Sequence, residues 1–238
     1  RFYKVLDITL ARGGSKGIEN KNIALIHNKP LIYYTIKEAL KSNFIDDYVV
    51  STDSKKIRKV SLKYGAQVPF IRPKKFSTDK ASSVSALQHA VNFMEKKNNC
   101  KYDIIVELMC TNPLKDYNDI DLCISKIVNK KADSVIAMHE LNDHHPIRIK
   151  KIINEKIYDF NLYENPESRR QDLKPKAYIR SGSIYTLTRK HLMIDSRRYG
   201  SNKSYAYILN PEKAINIDGP DDLVLAKYKL KKINSKSS

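Results

Sequence analysis

The 238-residue chain has no tryptophan and only three cysteines, seven glycines and nine prolines. So little Gly and Pro excludes collagen-like and low-complexity architectures. No apolar run approaches the roughly 18 residues needed to span a bilayer. No basic segment followed by an apolar core and a small-residue cleavage site opens the chain, which argues against secretion. Cys100, Cys110 and Cys123 lack metal or redox spacing, so they read as core thiols of a reducing cytoplasm. The six histidines are scattered, and adjacent His144 and His145 would point apart in any regular element. A His/Cys metal centre is not expected.

Acidic residues are also scarce: 44 Lys and Arg stand against 26 Asp and Glu, a net charge of +18. The excess raises nucleic-acid binding as a possibility. The lysines, however, are spread along the whole chain rather than gathered on one element or interleaved with aromatics. Only Lys227 to Lys236 forms a dense run, explained by a solvated helix end. A small anionic substrate fits this distribution better, with no nucleic acid and no membrane as partners.

Apolar runs alternate with helical stripes, the pattern of an α/β doubly wound, mostly parallel sheet. Strands are expected at 5–11, 48–52, 67–71, 103–109, 134–138, 183–187, 206–209 and 214–217. Helices are expected at 30–42, 54–64, 82–96, 116–129 and 218–231. Residues 140–180 break the rhythm, being polar with two short alternating stretches at 147–153 and 156–160. They predict a β-rich insertion or arm within a single 1–238 domain. Ligands of open parallel sheets sit at the carboxyl ends of strands, so the loops after residues 11, 52, 71, 109, 138 and 217 matter most.

The first of these reads ARGGSKGIENKN over residues 11–22. Its glycines let backbone N–H groups turn toward an anion. Arg12, Lys16 and Lys21 supply the cation density that a polyphosphate needs. The spacing is neither a Walker loop nor G-x-G-x-x-G. Gly13, Ser15 and Gly17 spell G-x-S-x-G, but the hydrolase elbow needs several prior strands and an immediate helix. Here one strand precedes Ser15 and a polar loop follows. Asp53 ends a strand before a helix and is expected mainly as an N-cap. Asp79 is expected either to pin the loop before residue 82 or to face a ligand.

The loop resembles that of the acylneuraminate cytidylyltransferases, the CMP-sialic acid synthetases. Further stretches carry the likeness along nearly the whole chain: Ser51-Thr-Asp53, Ile71-Arg-Pro73, DKASS at 79–83, Thr111-Asn-Pro113, His144-His-Pro146, Arg169-Arg-Gln171, GSIYT at 182–186, and Ile217-Asp218 before an acidic helix. The resemblance implies a nucleotide-diphospho-sugar transferase-like fold with a dimerisation insertion at 140–180. It implies a Mg²⁺-dependent reaction in which a nonulosonic acid's anomeric hydroxyl attacks the α-phosphate of CTP. By position, Arg12, Lys16 and Lys21 would hold the triphosphate, and Asp218 would ligate Mg²⁺. Ala11, Gly13, Ser15, Asn22, Arg72 and Ser83 would contact the nucleotide. Met109, Arg148, Arg170, Arg180, Ser181 and Tyr185 would face the sugar acid.

Two departures stand out. The family's terminal Asp-x-Asp is here Asn216-Ile-Asp218, so one metal carboxylate becomes an amide. Met109 stands where sialic acid synthetases carry a sugar-contacting glutamine, and Ser181 where many carry asparagine. A thioether cannot replace an amide's hydrogen bonds, which opens the sugar to legionaminic or pseudaminic types. Two alternatives stay open: a nucleotidyltransferase of similar fold for another sugar, and a nucleotide-binding paralogue without turnover.

Overall fold

The computed structural model describes residues 2–14, 17–141, 144–165 and 169–236. In chain order the strands and helices are β1 (Val5–Leu10), β2 (Leu25–Ile26), β3 (Lys29–Pro30), α1 (Leu31–Ala39), β4 (Asp47–Ser51), α2 (Lys55–Lys63), α3 (Ser83–Asn98), β5 (Ile104–Leu108), α4 (Tyr117–Asn129), β6 (Ser134–Glu140), β7 (Lys150–Ile153), β8 (Lys156–Asp159), β9 (Tyr178–Thr188), α5 (Arg189–Met193), β10 (Ser204–Ile208) and α6 (Pro220–Lys236).

Six strands form one sheet in the order β10-β6-β9-β5-β1-β4. β1 is buried throughout except at its last residue, and β5 is buried throughout, because each has a neighbour on both edges and apolar layers on both faces. One layer holds Leu31, Ile36, Ile57, Ile120 and Ile124 from α1, α2 and α4. The other holds Leu87, Ala90, Val91 and Met94, the apolar stripe of α3. Asp7 lies in the middle of β1 with both carboxylate oxygens unpartnered. Burial raises its pKa well above the usual range, against the opposing field of Lys115.

The chain runs from β1 through α1 to β4 on one side, then returns to place β5 on the other side of β1. That reversal is a topological switch point, where a crevice opens beyond the strand ends. Helix starts follow the local chemistry. Ser54 caps α2, accepting from Ile57 N, and Ser82 caps α3, accepting from Ser85 N. Asp116 and Asp119 form a capping box on α4.

The fold class holds, with three corrections of detail. Residues 67–71 contribute only a bridge between Val49 and Gln67. Residues 214–217 form no strand; they are held by Ile217 N donating to Thr111 O at 2.8 Å. The strand expected at 183–187 starts at Tyr178 and runs antiparallel to both β5 and β6. Its register slips at Ser181-Gly182: Ile136 to Met138 on β6 faces Tyr185 to Arg180 on β9. Gly182 supplies the positive φ of 61° that this bulge needs. A local irregularity of this kind hides a long strand from a period-2 reading. The 140–180 segment contains the β7-β8 hairpin.

Candidate active site

A cleft of about 550 Å³ opens at the switch point, in the size range of small-molecule sites. Its walls come from the end of β1 (Leu10, Arg12), the turn at Lys21-Asn22, Arg72, the 76–83 loop with the start of α3, the end of β5 (Glu107, Met109), and Asp218.

Sequence-distant segments are stitched together here. Lys21 Nζ donates to Ile217 O at 2.9 Å and lies 3.4 Å from Asp218 Oδ1. A Cβ on Gly17 would sit 2.4 Å from Asp218 O, so only glycine permits the approach. Asp222, in the first turn of α6, accepts from the backbone N of Asp218 and Gly219 at 2.9 and 2.8 Å. Those two bonds hold its carboxyl below the usual range and fix the loop carrying Asp218. Asn22 is buried and its amide donates to Arg12 O at 3.1 Å, bracing the basic loop from within.

Arg72 is 5% exposed, and its Nε and Nη2 have no hydrogen-bond partner. Burial lowers its pKa, Asp53 opposes that, and Arg12 adds to it. A buried guanidinium with idle donors on a cleft wall is costly unless an anion or carbonyl meets it. Arg12 is paired with Asp79, Nη1 to Oδ1 at 2.6 Å, and both groups are partly exposed. Asp79 thus faces the basic loop. Asp53 accepts from Gly13 N at 2.9 Å, while the helix cap expected of it falls to Ser54. Beside Arg72, His89 packs against Phe70 and Phe76. Burial, with Arg72 and Lys75, lowers its pKa, which favours the neutral ring.

Of the residues singled out in the sequence, Arg12, Lys21, Asn22, Arg72, Ser83, Met109 and Asp218 line this one cleft. Ala11 is buried behind it. Gly13 anchors the loop to Asp53. Ser15 and Lys16 lie outside the described residues. Asn216 sits at the rim with its amide on Asp218 and its Oδ1 facing Gly182.

The other residues expected on the sugar side are not brought into the cleft of this chain. Ser181 is fully buried and its hydroxyl donates to Ala137 O at 2.9 Å, beside Ser183. Tyr185 is buried under Arg198, whose guanidinium lies 4.3 Å above its ring. Arg180 is exposed and stacks on Tyr199 at 4.7 Å. Arg148 pairs with Glu164 at 3.6 Å, and Arg170 lines a separate hollow with His145 and Lys174.

Sequence reading missed three groups. Glu107, inside an apolar strand, faces the cleft. Arg198, 91 residues further on, pairs with it at 2.6 Å. Lys115 is buried and its Nζ donates to Met109 O, Asn112 O and Thr35 Oγ1 at 2.7, 2.7 and 2.8 Å. Burial pushes its pKa down to about 8 against the pull of Cys110 and Asp7. The signal for Glu107 was its charge in the run DIIVELM; the other two carry no local signature.

Residues 7–227 match the cytidylyltransferase family. The chain belongs to that family. It is 36% identical over 237 residues, 99% of both chains, to a pseudaminic acid cytidylyltransferase of Campylobacter jejuni subsp. jejuni. It is 29% identical over 251 aligned residues to the CMP-N,N'-diacetyllegionaminic acid synthase of Legionella pneumophila, covering 98% of this chain and 99% of that one. Its fold matches a CMP:2-keto-3-deoxy-manno-octonic acid synthetase complexed with CTP, with TM-score 0.70, 16% identity, and 97% and 99% of the two chains covered. Among the described residues of this cytidylyltransferase-family chain, no helix is long and apolar enough to cross a membrane.

Proposed function

We propose that this chain joins CTP to a nonulosonic acid, with pseudaminic acid the first candidate, to give a CMP-sugar and pyrophosphate. The observation that carries the reading is the meeting of loop 12–22 with Asp218 through Lys21, beside the idle guanidinium of Arg72. Polyphosphate cations, a hard-oxygen carboxylate and a buried donor for a nucleotide thus share one cleft. Two relatives named for pseudaminic acid are 36% and 35% identical, against 29% for the one named for N,N'-diacetyllegionaminic acid, which favours pseudaminic acid within the class.

In this reading the anomeric hydroxyl attacks the α-phosphorus. The sugar O–P bond forms, the bond to pyrophosphate breaks, and the hydroxyl proton is released. Charge gathers on nonbridging and leaving oxygens. Lys21 and Arg12 would meet it, and a preorganised donor of that kind contributes about 3 kcal/mol. Arg12 would exchange Asp79 for phosphate. Arg72 and Ser83 would take the nucleoside.

The donors at the cleft mouth suit Mg²⁺, a hard ion usually held by one or two carboxylates plus substrate phosphates. Asp218, 69% exposed at its side chain, would hold it; Asn216, whose NH₂ donates to Asp218 while its Oδ1 faces Gly182, would join only by turning its amide over. It would neutralise phosphate charge. Among the described residues no cluster of three His, Cys, Asp or Glu forms an all-protein metal cage, consistent with a metal that arrives with the nucleotide.

The arm hairpin exposes Ile152 and Ile157 at 73% and 72%. We assign these to a homodimer interface through the 140–180 segment. The sugar-side arginines outside the cleft, Arg148 and Arg170, lie on the same segment. Free Cys100, Cys110 and Cys123 suit a reducing cytoplasm, where CTP is available.

The test is pyrophosphate release from each nucleoside triphosphate with Mg²⁺, against pseudaminic, legionaminic, N-acetylneuraminic and 3-deoxy-octulosonic acids. Release with CTP and a nonulosonic acid is expected. CTP binding without release from any pair would instead support the paralogue without turnover.

A further inference from the structure

Glu107 is the anomaly of the cleft. Both proposed substrates are anions, yet a carboxylate forms part of the wall and is only 2% exposed. Such a group is expensive to bury and is held by a dedicated clamp. Arg198 Nη1 donates to its Oε2 at 2.6 Å. Arg198 is in turn seated on the Tyr185 ring at 4.3 Å. Tyr185 is the cross-strand partner of Glu107 in the β5-β9 register. Ring, guanidinium and carboxylate therefore form one stack that fixes a single carboxylate orientation. Among the described residues, Oε1 accepts no hydrogen bond.

Burial raises the Glu107 pKa and the Arg198 guanidinium opposes that. In the ionised form that Arg198 favours, the carboxylate is an acceptor only, so it repels phosphate and sugar carboxylate alike and suits an uncharged N–H or O–H donor. Two residues on, just past the end of β5, Met109 also lines the cleft with an apolar thioether. The triphosphate cations Arg12 and Lys21 lie on the loop that follows β1. The Glu107–Met109 pair thus defines a part of the cleft that is polar by one acceptor and otherwise apolar.

We propose that Glu107 is a specificity-determining residue that accepts a hydrogen bond from a hydroxyl or acylamino donor of the sugar, beside an apolar substituent packed on Met109, with Arg198 and Tyr185 as its positioning residues. The proposal rests on the function proposed above and deepens it.

Glu107→Gln gives the decisive variant. Arg198 would claim the new amide's oxygen, turning its NH₂ toward the cleft and replacing an acceptor by a donor. Steady-state pyrophosphate release is measured with sugar and CTP varied separately, using the best sugar of the panel. The expected result is a tenfold or greater rise in KM for the sugar, with KM for CTP within twofold and kcat within threefold. The double variant Glu107→Leu/Arg198→Met removes the pair without leaving a lone buried charge. It should show the same selective rise and guards against misfolding of the single variant. An unchanged sugar KM in both variants overturns the proposal. So does a rise confined to CTP with weakened rejection of UTP, which would assign Glu107 to the cytosine amine. A wild-type protein that releases pyrophosphate with no sugar overturns the function itself, and this assignment with it.

Discussion

The two ends of helix α3 hold charge in opposite ways. At its C-terminal end Glu95 is closed on all sides. Arg189 donates to both its oxygens at 2.7 and 3.0 Å, Lys101 at 2.6 Å and Tyr102 N at 3.3 Å. Burial opposes the charged form, but these donors prevail and hold the carboxyl at about 2. Around the cleft at the N-terminal end the charges are held more loosely, by partly exposed partners or, at Arg72, by none for two of its donors. Arg72 has idle donors, Lys21 rests on a carbonyl, and Arg12 leans on a half-exposed aspartate. Satisfied charge stabilises the fold; unsatisfied charge on a cleft wall is poised for a ligand and costs stability until one arrives.

Substitutions at the two ends should therefore separate activity from stability. The largest effect belongs to the open end. Lys21→Ala and Asp218→Ala should each lower turnover by 100-fold or more, about 3 kcal/mol of transition-state stabilisation. Circular dichroism should show the fold intact. Near-normal turnover in either variant removes that residue from its role.

At the closed end the effect moves to stability. Glu95→Gln should cost about 2 kcal/mol at neutral pH, read by urea denaturation, while leaving kcat untouched. The native carboxyl lies below its ordinary 4.5, so its contribution is full above about pH 4.5 and fades as the pH falls toward 2. The variant should flatten that stretch of the stability–pH curve. An unchanged acid limb would break the comparison.

Arg72→Met sharpens it from the other side. Removing a buried guanidinium with two idle donors should leave Tm equal or higher, yet raise KM for CTP about tenfold, roughly 1.4 kcal/mol. A fall in Tm would mean that Arg72 serves the fold. Asn216→Asp should give the smallest change, a few-fold lower Mg²⁺ requirement. A higher requirement would show that residue 216 is not standing in for a metal carboxylate.

Residues whose signal is local were legible in advance. The glycines and cations of loop 11–22, the apolar stripe of α3 and the buried run of β1 each declare themselves within a dozen residues, because backbone turning, helical period and burial are short-range properties. Residues that act through a distant partner were not. Ser181 reads as a pocket residue, but the β9 bulge turns it inward onto Ala137. Arg198 is one charge among 44 Lys and Arg until folding lays it on Tyr185 and against Glu107.

The sequence by itself determined the alternation of strands and helices, and with it a sheet carrying a basic, glycine-bearing loop at the end of its first strand. Strand order was decided only by the tertiary structure, which opens the cleft between β1 and β5 and brings Asp218 to Lys21 across 197 residues. Local periodicity is set by neighbours along the chain. Pairing of charges so far apart follows from which strands pack side by side, and that emerges only when the whole core is buried at once.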